Sequence, residues 1–451
     1  MITQLDNPNL RKSNMLNVVC NSTTRGSCLD FGYYREQINM FFDNYLLSSP
    51  YVTNIKKIGS KSSNGFILQT EYNKNNYKSY SIIKCNRKPT SDNLLYEYYV
   101  GINFINQFVP IFPCFIETYK QLYMFNDDTD FSFAESITNV PIVVDDSVKQ
   151  HFKEIKNAES MINTPAKFAK NACKFGKTNS ISIMLQHFDN LVPLGSYGST
   201  YSDIYDIPNF LFQVYFVLNN MKDEYTHYDL HANNVSLYKP YLGDRYIVMN
   251  YHFNDGTIIE FPTEYIAKII DYGRNFFRDN VKNKSSEQLL IYVCNTPECN
   301  AIINGINYPC GDTSGIFAGE YGYPAGTFHY ISPDKKNISN DLRLIKSDEM
   351  LEDMLKSMGG QFTMEYVGNF GTPERTDATI PGESVKNVFN MLDYIKTYIT
   401  SWNNSKFVGF YTKALSSEDN YNKYASPKWV NMGTIHVYED RRPYEFIPTV
   451  M

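Results

Sequence analysis

From position 52 onward apolar and polar residues alternate, and residues 52–58, 65–72 and 78–85 each carry the period-two pattern of a strand, parted by Gly, Ser and Asn turns. The period then lengthens. Leu94, Leu95, Tyr98, Ile102 and Ile105 recur at three and four, which predicts a helix with Ser91 or Asp92 as its cap. Residues 112–125 and 181–186 read as further strands, and 127–178, rich in Asp, Lys and Asn, reads as an insertion between them. The clearest helical pattern runs over 208–222, with Pro208 in the first turn and Leu211, Val214, Tyr215, Leu218 and Met221 on one face. Two alternating runs about Asn254-Asp255-Gly256 predict a hairpin over 246–261. Residues 350–358 and 384–398 are helical by periodicity, and 37–47 is an amphipathic stretch. No internal repeat is visible. The expected class is α+β, with a strand-rich first third and a helix-richer remainder.

Composition narrows the possibilities. At 43% hydrophobic over 451 residues the chain can bury a sizeable core, so disorder throughout is excluded. Lys+Arg 42 against Asp+Glu 48 gives −6, and a pI near 5.7 argues against a non-specific nucleic-acid coat. Tyr 37 and Phe 30 lack interleaved basic residues, so they are expected in the core rather than as a base-stacking platform. No stretch approaches the ~18 apolar residues of a membrane helix, and the first six residues show neither the basic start nor the apolar core of a secretory signal. Eight Cys are too sparse for a disulfide scaffold, which points to a reduced, intracellular setting. Cys294, Cys299, Cys310 and His329 are the residues that could make a zinc site. Their spacing matches no knuckle pattern, and buried free thiols are the favoured reading. The Lys335-Lys336 and Arg441-Arg442 pairs are expected on solvated surface.

The chemistry concentrates in two segments. Thr226-His227-Tyr228-Asp229-Leu230-His231-Ala232-Asn233-Asn234-Val235 puts an Asp and an Asn five residues apart on a tight loop after the 208–222 helix. Such an Asp can take a hydroxyl proton, while the Asn amide can hold a metal. Ala267-Lys268-Ile269-Ile270-Asp271-Tyr272-Gly273 ends an apolar strand on a carboxylate able to ligate Mg²⁺ between nucleotide phosphates.

These two segments resemble the catalytic loop, H-x-D-L-x-x-x-N, and the metal-binding motif, D-[FY]-G, of the protein-kinase family. The first third is similar to a kinase small lobe in the same order. Residues 58–66 resemble a degenerate glycine-rich loop with Gly59 and Gly65, Ser81-Ile82-Ile83-Lys84 resembles the strand bearing the phosphate-binding Lys, and Glu97 on the next helix is its implied partner. Residues 184–188 fall where the adenine-binding hinge belongs, which implicates Gln186 and Phe188. The hairpin between the motifs, Arg274 after Asp271-Tyr272-Gly273, and Asn340-Asp341-Leu342-Arg343-Leu344 are similar to features of the divergent kinase-like proteins of large DNA viruses.

The resemblance spans about residues 51–399. It implies an α+β, bilobal protein-kinase-like fold: an N-terminal extension (1–50), a β-rich small lobe (51–188, insert 127–178), a mainly helical large lobe (189–400, hairpin insert 240–264) and a C-terminal extension (401–451). It further implies ATP and Mg²⁺ as cofactors, with Gly59, Gly65, Lys84, Gln186 and Phe188 at the nucleotide and Asn234 and Asp271 at the metal. By the same resemblance Asp229, Lys84 and Glu97 are the implied catalytic residues, and Asp341 is the implied holder of the catalytic loop by its backbone. The implied activity is transfer of the γ-phosphoryl group to Ser or Thr of a protein substrate. No membrane or nucleic-acid partner is expected, and the implied setting is the host cytoplasm or the virion. Tyr228 stands where kinases carry an Arg that receives an activation-loop phosphate, His231 stands where protein kinases carry a Lys, and no Ala-Pro-Glu follows Gly273. Two alternatives therefore stay open: an inactive pseudokinase acting as scaffold or virion component, and a small-molecule kinase.

Overall fold

Asn75 and Asn76 form the two-residue turn of a hairpin. Both have positive φ, 53° and 67°, the backbone of a two-residue hairpin turn that Asn tolerates better than most residues. The turn joins β2 (Gly65–Lys74) to β3 (Tyr77–Asn86) in one unbroken antiparallel register from Lys74↔Tyr77 to Gly65↔Asn86. The computed structural model describes residues 35–47, 49–58, 65–86, 93–125, 142–143, 180–188, 191–197, 206–286, 288, 301–303, 306–308, 336–357, 362–364, 385–403, 424 and 426–449.

With β1 (Val52–Ile58), β4 (Thr118–Phe125), β5 (Ile142–Val143) and β6 (Ser180–His187), this hairpin forms a six-stranded sheet ordered β4-β6-β3-β2-β1-β5. All its pairs are antiparallel except β1 with β5. Along β3, Ser79, Ser81, Ile83 and Cys85 are buried while Ile82 and Lys84 are half-buried, so period-two alternation sets Lys84 on the opposite face from Ile83. The short helix α1 (Arg35–Phe41) is tied to this sheet by Arg35 and Asn39, which both bind the Glu117 carboxylate. Helix α2 (Asn93–Asn103) packs on β3, β4 and β6 and buries Leu94, Tyr96, Glu97 and Val100.

Helix α3 (Ile207–Asn220) is buried on all sides, with Phe210, Phe212, Phe216 and Val217 as deep as the expected apolar face. Its buried polar side chain Gln213 is satisfied: it donates to Tyr265 O and accepts from Ala267 N. Six further strands form two three-stranded sheets, one of which packs on this helix through β12. They are β7 (Leu191–Pro193), β9 (Val235–Tyr238) and β12 (Ile266–Ile269) in the order β12-β9-β7, and β8 (Tyr225–Thr226), β13 (Phe276–Asp279) and β14 (Lys284–Ser285) in the order β14-β13-β8. A two-stranded ribbon pairs β15 (Ala301–Ile303) with β16 (Ile306–Tyr308). Helices α4 (Arg343–Lys346), α5 (Glu349–Ser357) and α6 (Val388–Asn403) complete the fold, α6 lying along α3. The architecture is thus mixed α+β with mostly antiparallel sheets. Among the described residues no helix is long and apolar enough to cross a membrane.

Three differences from the sequence expectations have physical causes. The strand expected over 112–125 begins only at Thr118, because Pro110 and Pro113 remove backbone donors and leave Phe112, Cys114, Phe115 and Ile116 as a buried irregular segment. The hairpin β10 (Arg245–His252) and β11 (Ile258–Thr263) does not stand alone. It belongs to a four-stranded sheet, β11-β10-β17-β18, completed by β17 (Val430–Tyr438) and β18 (Glu445–Pro448), with β10 and β17 parallel. Arg441, expected as solvated surface, donates to Asn220 Oδ1 at 2.8 Å, ion-pairs with Glu224 and reaches the carbonyl of Asn220, an acceptor at the C-terminal end of α3. Gly59, Cys294, Cys299, Cys310, His329, Lys335 and most of 127–178 lie outside the described residues.

Candidate active site

Lys84, on the half-buried face of β3, reaches two carboxylates from distant parts of the chain. Its Nζ donates to Glu97 Oε2 of α2 at 2.6 Å and to Asp271 Oδ1, just past β12, at 3.1 Å. Glu97 is buried at 2% exposure, whereas the Lys84 and Asp271 side chains keep 26% and 42%, so the pair opens on the solvent side. Burial alone would lower the Lys84 amine, but Asp271 and Glu97 together hold it above its ordinary value. Burial likewise opposes the charge on Asp271, and Lys84 and Arg274 bring its carboxyl down to about 2.

The loop after β8 is held from beneath. Asp341, in a 3-10 turn over Asn340–Leu342, is buried and accepts the backbone N–H of His227 at 2.9 Å and of Tyr228 at 3.0 Å. His227 is buried beside it. Its Nδ1 lies 3.3 Å from Asp229 N and its Nε2 3.0 Å from Ile270 O, a pairing that suits a neutral ring protonated on Nε2. Tyr228 and Asp271 both have left-handed backbones, φ 62° and 69°, which cost of order 1–3 kcal/mol each and persist where surroundings over-determine them. For Tyr228 the constraint is visible: its N–H binds Asp341 Oδ1 and its carbonyl accepts from Arg343 at 3.3 Å.

Asp229 and Asn234 occupy one end of this loop. Asn234 Nδ2 donates to Asp229 O at 2.8 Å. The β9–β12 pairing sets Val235 opposite Ile269, and Ile270 N donates to Asn234 O at 3.0 Å, so Asn234 and Asp271 emerge side by side. An amide oxygen and a carboxylate oxygen are the hard donors Mg²⁺ takes, and one or two protein ligands suffice when phosphates and water supply the rest. By the chemistry of its donors the site therefore fits a magnesium–nucleotide complex. Asp229 is flanked by two guanidiniums: Arg343 Nη1 is 2.5 Å from Oδ1 and Arg274 Nη1 is 3.5 Å from Oδ2. Burial opposes its charge, yet Arg274 and Arg343 hold its carboxyl below the usual range.

Lys84, Glu97, Asp229, Asn234, Asp271 and Asp341 are thus brought into one connected cluster. Gly65 lies at the start of β2, paired with Asn86 at the end of β3, and Gly59 is not among the described residues. Gln186 is buried in β6, and its Oε1 accepts from Glu117 N at 3.1 Å, so its side chain braces the start of β4. Phe188 is buried too. Its ring packs 4.3 Å from that of Tyr238, with Lys268 Nζ 4.3 Å from its centroid. The Gln186 side chain is thus engaged with Glu117 N, as its own N–H is with Glu117 O, and the Phe188 ring is packed between Tyr238 and Lys268. The sequence left Arg343 without a role, because nothing in its local pattern reveals that the turn at 340–342 aims it at Asp229, 114 positions away. No family model matches the chain, and no curated protein matches it.

Proposed function

We propose that this protein is a phosphotransferase of protein-kinase-like fold that moves the γ-phosphoryl group of ATP to a Ser or Thr hydroxyl of a protein. The observation that carries this reading is the Lys84 bridge to Glu97 and Asp271, 13 and 187 positions away, next to a loop whose backbone is held by Asp341. The sheet order β4-β6-β3-β2-β1 and the β9–β12 pairing between the two motifs support a kinase-like arrangement of these elements.

In this mechanism Lys84, oriented by Glu97, neutralises the α- and β-phosphates of ATP. Asn234 and Asp271 would hold Mg²⁺, which when bound supplies positive charge to the phosphate oxygens. Asp229 orients the acceptor hydroxyl. The acceptor oxygen forms the new bond to phosphorus as the bond to the β,γ-bridging oxygen breaks, ADP departs with that electron pair, and the hydroxyl proton passes to Asp229. Because Arg343 and Arg274 hold Asp229 ionised, it is a weak base, and its main contribution is position.

A second reading, nucleotide binding without transfer, is favoured by one observation: both oxygens of Asp229 already face arginines. Thermal-shift titration with Mg-ATP tests the common ground. A ligand that binds only the folded state raises the melting temperature by mass action. Wild type is expected to shift at millimolar nucleotide, and Lys84→Ala and Asp271→Asn are expected to lose the shift. No shift in wild type would overturn both readings, while a shift without any phosphoryl transfer would select the second.

A further inference from the structure

We propose that His252 and His436 form a binding site for a divalent transition-metal ion of the zinc, nickel and copper class, with Glu445 as the nearest third donor. The site stands apart from the phosphotransferase reading, on the sheet β11-β10-β17-β18. Alternation along β10 and β17 buries Tyr251, Ile435 and Val437 and turns His252 and His436, both half-buried, to the outer face. There His252 Nε2 lies 2.9 Å from His436 Nδ1, although 184 positions separate the two residues. Both rings hang from one parallel ladder, Val248↔Thr434 to His252↔Tyr438, and Glu439 N donates to His252 O at 2.9 Å, so the backbone beneath them is fixed. On the other side of β17, His436 is the direct partner of Glu445 in the antiparallel pair with β18. Side chains so opposed share a face, with Cβ atoms about 5 Å apart.

Two nitrogens each about 2.05 Å from one ion stand about 2.9 Å apart at a right angle and about 3.3 Å apart at the tetrahedral angle. The observed 2.9 Å matches the first and falls a few tenths short of the second, so rotation of the side chains is enough to aim both rings at one ion. A hydrogen bond between imidazoles needs one protonated and one bare nitrogen, whereas a metal needs both bare. This pair can make the change: His252 Nδ1 and His436 Nε2 have no other bond among the described residues, and each neutral ring can carry its proton there. Partial burial, and then His436 and Arg442, hold His252 below its ordinary value, which keeps the ring neutral near pH 7.

The charged groups around the pair also permit a cation. Glu445 Oε2 accepts from Tyr438 OH at 3.4 Å, a long bond that it can exchange for an ion. The Arg442 guanidinium lies over the Tyr438 ring, 3.6 Å from its centroid, and Asp440, 3.9 Å from it, offsets its charge. Among the described residues no three His, Cys, Asp or Glu side chains already converge on one point. The ion would therefore draw Glu445 in and take water as its remaining ligand, the two-His, one-carboxylate pattern of open zinc sites. Imidazole donors favour zinc, nickel and copper over oxygen-seeking Mg²⁺. A bound ion would staple the far end of the chain to the hairpin between the two motifs.

Calorimetry and thermal unfolding of the full chain, stripped with EDTA and then dialysed free of it, test the site with ZnCl₂ and separately with NiCl₂. Wild type is expected to bind with micromolar affinity and to melt at a higher temperature with the ion, by mass action. Binding is expected to weaken as pH falls from 7 to 5, because protons compete for both rings. His252→Gln and His436→Gln are each expected to weaken binding by more than about tenfold, without changing the melting temperature in EDTA. Glu445→Gln is expected to weaken it less, and an unaltered affinity there would remove Glu445 from the site. No binding below millimolar ion, or binding that both His variants keep, would overturn the proposal; the second result would place the ion elsewhere in the chain. Should a variant fail to fold, diethyl pyrocarbonate modification of wild type, mapped by mass spectrometry, decides: zinc is expected to protect His252 and His436, and equal modification with and without zinc would overturn the site. None of these results bears on the Mg-ATP shift, so the phosphotransferase reading stands or falls separately.

Discussion

His227 shows how much the candidate site leans on single side chains. It is fully buried, and burial brings its pKa down to about 4 from the ordinary value near 6.5. Between those values the unfolded chain holds a proton that the folded chain does not, so this residue makes stability rise with pH from 4 to 6.5 and fall on acidification. The slope is at most about 1.4 kcal/mol per pH unit. Asp341 works in the opposite direction: burial pushes its pKa up to about 7, so the folded chain keeps a proton the unfolded chain gives up, and that stability is lost as pH rises from about 4 through 7. Urea unfolding of wild type and His227→Gln across pH 4 to 7 isolates the first term. The variant is expected to lose the positive contribution of His227, so that its stability falls less on acidification, and parallel curves would show that His227 takes up a proton within the fold.

At the scale of elements, the helix that carries Glu97 is positioned by the absence of a side chain. A Cβ on Gly101 of α2 would lie 2.0 Å from Thr118 Oγ1 and 2.5 Å from Thr118 Cβ on β4, well inside contact distance. Gly101→Ala is expected to push α2 off the sheet, at a cost of about 1–3 kcal/mol from overpacking. Because Glu97 is one turn earlier on the same helix, the Mg-ATP thermal shift should weaken as well. Exchanging the pair, Gly101→Ala with Thr118→Gly, is expected to restore both, and a single variant as stable as wild type in urea would refute the close packing. The periodicity of Leu94, Tyr98 and Ile102 made this helix legible, but not where it docks. The apolar run at 112–116 shows the converse, for its hydrophobicity is that of a strand while two prolines deny it a ladder.

Across the whole molecule, residues far apart in the chain share one core. Strand β17 lies between β10 and β18, and Ile435 and Val437 are buried with Met249 and Tyr251 of β10. The segment that follows it ties Arg441 to the end of α3 and, through Tyr444 N to Pro110 O at 3.0 Å, reaches the segment between α2 and β4. Ending the chain at residue 428 is therefore expected to lower the melting temperature by many degrees or to abolish cooperative unfolding, read by scanning calorimetry. An unchanged transition would mean that β17 and β18 are peripheral.

Local pattern was enough to find β1 to β3, the 208–222 helix and the 246–261 hairpin, because alternation and helical period are properties of neighbours in sequence. Asp229, Asn234 and Asp271 were singled out by residue type and spacing, whereas Lys84, Glu97 and Asp341 came only from what the family resemblance implies. What local pattern could not contain is distance. The bond from Lys84 to Asp271 spans 187 positions and the Asp341 bond to His227 spans 114, and each exists only because sheets and helices pack in one particular arrangement. The pairing of β17 with β10 and the two arginines on Asp229 belong to the same class, since a contact between remote segments leaves no period in either one. The sequence by itself determined which side chains are present to do chemistry and which local elements carry them. Only tertiary packing decided which of them meet, because close packing of distant surfaces, not local propensity, sets those distances.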